Sequence, residues 1–403
     1  VARLTTTLLG RRLLGRRLLG RKLLGRKLLG GLFLVLGSTG IAWSTPQVPD
    51  DDALVLAELP PGARHESAPA RELAGARFDV ALPLAQFYIA RSRASGDLRY
   101  LGYAEAVLEP WARRNPVAPA VRVLEATILQ SRHAFDAALQ QLELALRAQP
   151  DDAQAWLTRA TVLRVQGRYA DAMASCGRLA DRADAAVTAL CQQSIAGLTG
   201  RLRPAYTALV ALPLQQLSAE ARAWRYSELG EMAERLGDDA AAEHWFTEGL
   251  QLDADDLYMR AAYADLLLRQ ARAAEALQLL TGYESMEPIL LRIVIAQQLL
   301  GDRRDAANRA VLSGAFDVEQ QRGEAVHRRE QARFLLDVEQ QPAAALAAAQ
   351  ENWRVQREPD DVLILLRSAQ AAHRPDAAAP ALQFLQQQQL EDVRIAPYQR
   401  ELR

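Results

Sequence analysis

Two cysteines are the residues of this chain most able to make a covalent link. Cys176 and Cys191 lie eight residues before and seven after a predicted helix–helix turn centred near Asp184, so they face each other across an antiparallel hairpin. Neighbouring helix axes run about 8–10 Å apart, and bridging requires Cα atoms within about 7 Å. A disulfide formed in an oxidising compartment and two buried thiols acting as small apolar side chains both remain open. The histidines offer less. His65, His133, His244, His327 and His373 lie far apart along the chain, and no metal ligand is assigned among them. The chain has no HExxH, no Walker-A loop and no GxSxG, which argues against a zinc peptidase, a nucleotide hydrolase and a serine hydrolase. The acidic pairs Asp151–Asp152, Asp238–Asp239, Asp255–Asp256 and Asp360–Asp361 stand at predicted helix starts. They read as N-terminal caps and helix-dipole partners rather than as paired catalytic carboxylates. No catalytic residue and no cofactor is expected, and the chain reads as a non-enzyme.

The elements that would position any site follow from a repeat. From about residue 71 to 390 the apolar pattern is helical, and an AxxxL or AxxxF phrase recurs within it. Its alanines are Ala104, Ala138, Ala172, Ala205, Ala242, Ala276, Ala306, Ala344 and Ala378. The successive gaps are 34, 34, 33, 37, 34, 30, 38 and 34. Small residues precede the alanine by twelve positions at Ser92, Ala126, Ala160, Gly230 and Ala264, and a turn glycine precedes it by five at Gly167, Gly237 and Gly301. Such a pattern builds pairs of antiparallel helices whose small residues let the backbones approach. One pair cannot bury both faces, so the pairs stack into a continuous core. Trp156, Tyr169, Phe135 and Phe246 fall on packing positions of this frame.

The period and these marks resemble the tetratricopeptide repeat over about residues 84–390. The units at Tyr226–Phe246 and Trp156–Ala172 match best, and those near Ala205 and Ala306 are degenerate. The resemblance implies an all-α, right-handed α-solenoid of about nine helix pairs. Its concave groove would be lined by the first helix of each pair, at positions 2, 5, 9, 12 and 13. In four units these are Ala120, Val123, Thr127, Gln130 and Ser131; Gln154, Leu157, Thr161, Arg164 and Val165; Trp224, Ser227, Glu231, Glu234 and Arg235; and Tyr258, Ala261, Asp265, Leu268 and Arg269. The family's Lys- and Asn-based chaperone-tail clamp has no counterpart, because no Lys occurs in the array. The candidate protein- or peptide-binding residues are Trp224, Glu231, Tyr258, Asp265, Arg269, Gln130, Gln154 and Arg164. For Trp224, packing against its own helix or the preceding linker is the competing role.

Charge and the N-terminus address location. Residues 1–44 hold nine basic residues and no acidic one, which leaves residues 45–403 with a net charge of −10. An acidic body argues against nucleic acid as partner. A pentapeptide pattern, LLG followed by two basic residues, leads into the apolar run Leu28–Leu36 and the small residues Ala42 and Ser44. That is the pattern of a secretory signal, residues 1–44, cleaved before Thr45. A retained membrane anchor is the alternative. A proline-containing linker, 45–70, precedes the array at 71–390, and 391–403 form a C-terminal tail. The expected protein is thus an exported scaffold or adaptor, periplasmic in a Gram-negative bacterium, with a protein or peptide client and no nucleic acid. It meets a membrane only if the N-terminal segment is uncleaved. The other reading is a membrane-tethered assembly factor or an accessory subunit of an enzyme.

Overall fold

The structure, a computed structural model, describes residues 77–321 and 327–402. The expected signal segment and the linker at 45–70 lie outside the described residues. Among the described residues every regular element is a helix, and the helices follow one another in antiparallel pairs. The nine pairs are α1 (Phe78–Ser95) with α2 (Arg99–Ala112), α3 (Pro119–Ser131) with α4 (Phe135–Ala148), α5 (Ala153–Val165) with α6 (Tyr169–Gly177), α7 (Ala185–Ala196) with α8 (Leu202–Val210), and α9 (Ala219–Leu236) with α10 (Asp239–Leu252). Next come α11 (Leu257–Arg269) with α12 (Ala273–Leu280), α13 (Glu287–Leu300) with α14 (Asp305–Gln321), α15 (Arg328–Arg333, continued by a π-helical turn, Phe334–Val338) with α16 (Pro342–Trp353), and α17 (Pro359–Ala371) with α18 (Ala379–Gln388). A short helix, α19 (Ala396–Glu401), follows. The described residues therefore form the all-helical tetratricopeptide-like solenoid that the resemblance implies.

Local chemistry sets the helix ends. Asp152, Asp238 and Asp256 accept the backbone N–H three residues on, at 2.9, 3.0 and 2.9 Å. Each satisfies one orphan donor of a first turn. The turn inside each pair after the first holds one residue in the left-handed region: His133, Gly167, Gly200, Gly237, Ala271, Gly301, Gln340 and His373. Each is five residues before an alanine in the second helix or, for Ala378, directly before it, so the spacing seen at three glycines extends to glycine-free turns.

The crossings explain the alanines. Ala138, Ala172, Ala242 and Ala276 have no exposed surface, and Ala104, Ala205 and Ala378 are equally enclosed. A Cβ at Gly230 would stand 2.3 Å from the Phe246 ring, so only glycine lets α9 and α10 approach this closely. The frame slips in two places. Ala306 is exposed, and Leu312 and Phe316 fill the crossing of α13 and α14 instead. In the next unit Ala345, not Ala344, is fully buried, and Gln340 is the left-handed residue five positions before it.

The array also closes on itself. Within α5–α7, Leu163, Tyr169, Cys176, Cys191 and Ile195 share one core with Trp353, Leu365, Phe384, Leu390, Ile395 and Leu402 near the C-terminus. Backbone and side-chain bonds join the same edges: Arg357 N–H to Val165 O at 2.8 Å, Tyr169 Oη–H to Arg357 O at 3.0 Å, and Val393 N–H to Arg235 O at 3.0 Å. At the other end, the turn at Gly96 packs against Met286 and Leu257. Residues 391–402, expected as a tail, are thus part of the core. Cys176 and Cys191 are bonded through their sulfurs, with Cα atoms 5.6 Å apart.

Candidate binding cavity

The curl of the solenoid surrounds a partly open cavity of about 1970 Å³. Its wall comes mainly from first helices: α1, α3, α5, α9, α11, α13, α15 and α17, with α14, Arg394 and Tyr398 completing it. All five expected inward positions of α9 and all five of α11 face this space. In α3 and α5 the expectation fails for the N-terminal half. Ala120, Val123, Thr127, Gln154 and Leu157 are outside the lining, whereas Gln130, Ser131, Thr161, Arg164 and Val165 belong to it. The reason is tilt: α1, α3 and α5 present only their C-terminal ends to the cavity, while α9 and α11 lie along it. Gln154 is on the outer surface, its Nε2 donating to Thr158 Oγ1 at 3.2 Å. The expected patch is therefore brought together except for Gln154.

Its residues are engaged with one another. Tyr258 is 55% exposed, toward the cavity, and its hydroxyl donates to Glu231 Oε1 at 2.5 Å. Trp224 is half-buried and donates from Nε1 to Glu228 Oε1 at 3.1 Å. Arg164 of α5 reaches across two units to Glu228 at 2.7 Å and to Glu231 at 3.6 Å. Arg269 binds Glu234 at 2.6 Å and Asp239 at 2.8 Å. Asp265 sits between Arg292 at 2.7 Å and Arg333 at 2.6 Å, and Asp337 accepts from Arg367 at 2.6 Å. Farther round, Arg329 stands 3.5 Å from Asp361 and 3.6 Å from Glu358, and Arg394 stands 3.1 Å from Asp360.

Enclosure changes how these groups hold protons. Burial, reinforced by the Glu228 carboxylate, pushes Glu231 up to about 7. Burial pushes Glu234 to about 7 against the pull of Arg394 and Arg269. Burial does the same to Asp361. For Asp265 burial acts upward but Arg292 and Arg333 outweigh it and hold the carboxyl below its ordinary range. For Arg164 burial acts downward but the surrounding carboxylates win and raise it. Eleven arginines and eleven carboxylates line the cavity, so its wall is close to neutral yet densely polar.

Part of this wall was not foreseen, including Arg292, Arg329, Arg333, Asp337, Glu358, Asp360 and Arg394. A signal for part of it exists. Arg333 and Arg367 are one 34-residue period apart, and Arg333 is two periods beyond Asp265. The acidic positions of α9 and α11 thus continue as basic positions in α15 and α17.

No protein-family profile and no curated protein matches the chain. Among solved structures it is similar to Pseudomonas aeruginosa pilF, at 17% identity over 62% of this chain and 92% of that one, with a TM-score of 0.29. The Cut9–Hcn1 hetero-tetramer of APC/C is similar at 12% identity over 81% of this chain and 63% of that one, with a TM-score of 0.49. The TPR domain of P58(IPK) gives 14% identity, 70% and 97% coverage, and a TM-score of 0.25.

Proposed function

We propose that this chain is an exported, non-catalytic scaffold that holds an extended segment of a client protein in its internal cavity. The observation that carries the reading is the cavity wall of α9 and α11. Trp224 and Tyr258 repeat at one position of successive units, Glu231 and Asp265 at another, and all four face the same space. An aromatic ladder offers stacking area, and the alternating arginines and carboxylates offer partners to peptide N–H and C=O groups. The volume is about twice the upper end of ordinary small-molecule pockets, which favours a chain segment over a metabolite. The export part rests on the basic stretch before Leu28–Leu36 and the small residues Ala42 and Ser44.

A photo-crosslinking residue at Tyr258 tests the binding part. The expected result is a crosslink from Tyr258 to one segment of a client in envelope extract, and none from the outward-facing Leu252 of α10. Equal labelling from both positions overturns the reading. Mass spectrometry of the protein from its host tests export: a mature chain beginning at Thr45 supports it, and an intact N-terminus on a cytosolic protein rejects it.

A further inference from the structure

We propose that Glu287, Glu319 and His327 form a binding site for a divalent transition-metal ion of the Zn2+ type. The three come from separate segments: Glu287 opens α13, Glu319 lies in the last turn of α14, and His327 directly precedes α15. Their ligand atoms all lie within 4.8 Å of one another. His327 Nδ1 is 2.5 Å from Glu319 Oε1 and 3.1 Å from Glu287 Oε2. That nitrogen carries at most one proton. The proton can serve Glu319, which leaves Glu287 Oε2 buried with no hydrogen-bond donor. A metal ion between the three serves every donor at once. Tetrahedral zinc with bonds of about 2.0–2.1 Å sets donors roughly 3.3 Å apart, so small side-chain shifts suffice.

The donor set, one imidazole and two carboxylates, suits zinc and its neighbours in the first transition row. Glu287 and Glu319 bring two carboxylates to this point, and two nearby guanidiniums are committed elsewhere: Arg292 to Asp265 at 2.7 Å and Glu330 at 4.0 Å, and Arg329 to Glu330, Asp361 and Glu358 at 3.7, 3.5 and 3.6 Å. All three side chains border the cavity, so a fourth coordination position opens toward the bound client or water.

The test uses the full, untagged, metal-stripped chain titrated with Zn2+ against a chromophoric chelator. One equivalent of Zn2+ is expected to bind. His327→Ala and Glu319→Gln should each weaken it by about tenfold or more, while His244→Ala, remote from the cavity, keeps the parent affinity. If His327→Ala loses the parent's helical circular dichroism, the near-isosteric Glu287→Gln is read in its place. Absence of a bound equivalent, or parental affinity in the ligand variants, overturns the site whatever becomes of the client.

Discussion

Tyr258 and Trp224 occupy the same position of successive first helices but are held differently. Tyr258 projects into the cavity, while Trp224 also packs against two core clusters. Replacing Tyr258 by Ala should weaken client binding by about 2 kcal/mol, roughly thirtyfold, with the melting temperature near the parent's. Trp224→Ala should weaken binding and also destabilise the fold by about 2 kcal/mol, because it opens a void between the clusters. A denaturation curve beside each binding isotherm separates the two effects. The neighbouring Glu231 carries a pH dependence. Its folded pKa of about 7 exceeds its ordinary 4.5, so the folded protein keeps a proton that the unfolded chain gives up. The stability this contributes is complete below about pH 4.5 and is lost as pH rises to about 7. Glu231→Gln should flatten the fall across that window by about 1–3 kcal/mol, as read from urea midpoints at successive pH values.

At the scale of the element, the left-handed turn residue organises each helix pair. Glycine fills it in four of the later units at no steric cost, but Ala271 holds φ 60° with a Cβ. A non-glycine residue there costs about 1–2 kcal/mol. Ala271 is exposed, so its replacement removes no packing. Ala271→Gly should therefore stabilise the protein by about 1 kcal/mol, visible as a higher denaturant midpoint with an unchanged slope. At His133 the same substitution should gain less, because the His133 ring stacks on Phe135 and lies 2.9 Å from Gln356 Nε2.

For the whole molecule, closure is the distinguishing feature. The C-terminal residues bury Leu390, Ile395 and Leu402 and tie Val393 to Arg235 and Glu391 to the Leu202 N–H. Deleting residues 389–403 should expose that edge of α5–α9 and lower the thermal midpoint by several degrees, since each large apolar side chain contributes about 1.5–3 kcal/mol. An unchanged midpoint would mean that the closure adds no stability. The Cys176–Cys191 bond closes a loop with a sequence separation of 15. Loop-closure entropy gives such a link about 3 kcal/mol. Mass spectrometry under non-reducing conditions should find the chain two hydrogens lighter, and reductant should lower its stability by that order.

The amino-acid sequence alone determined the helix pairs, their number and the inward faces of α9 and α11, because small crossing residues and turn residues are local requirements that recur with the unit. It also placed Trp224, Glu231, Tyr258, Asp265 and Arg269 on one wall, since a fixed period repeats a position in space as well as in sequence. It misplaced Gln154, because helix tilt relative to the cavity depends on how the units accumulate their rotation. Only the tertiary structure brought Arg333 to Asp265, His327 to Glu287 and Phe384 to Tyr169. Those contacts arise from the curl of the whole array, which sums small rotations over many units and which no local spacing encodes.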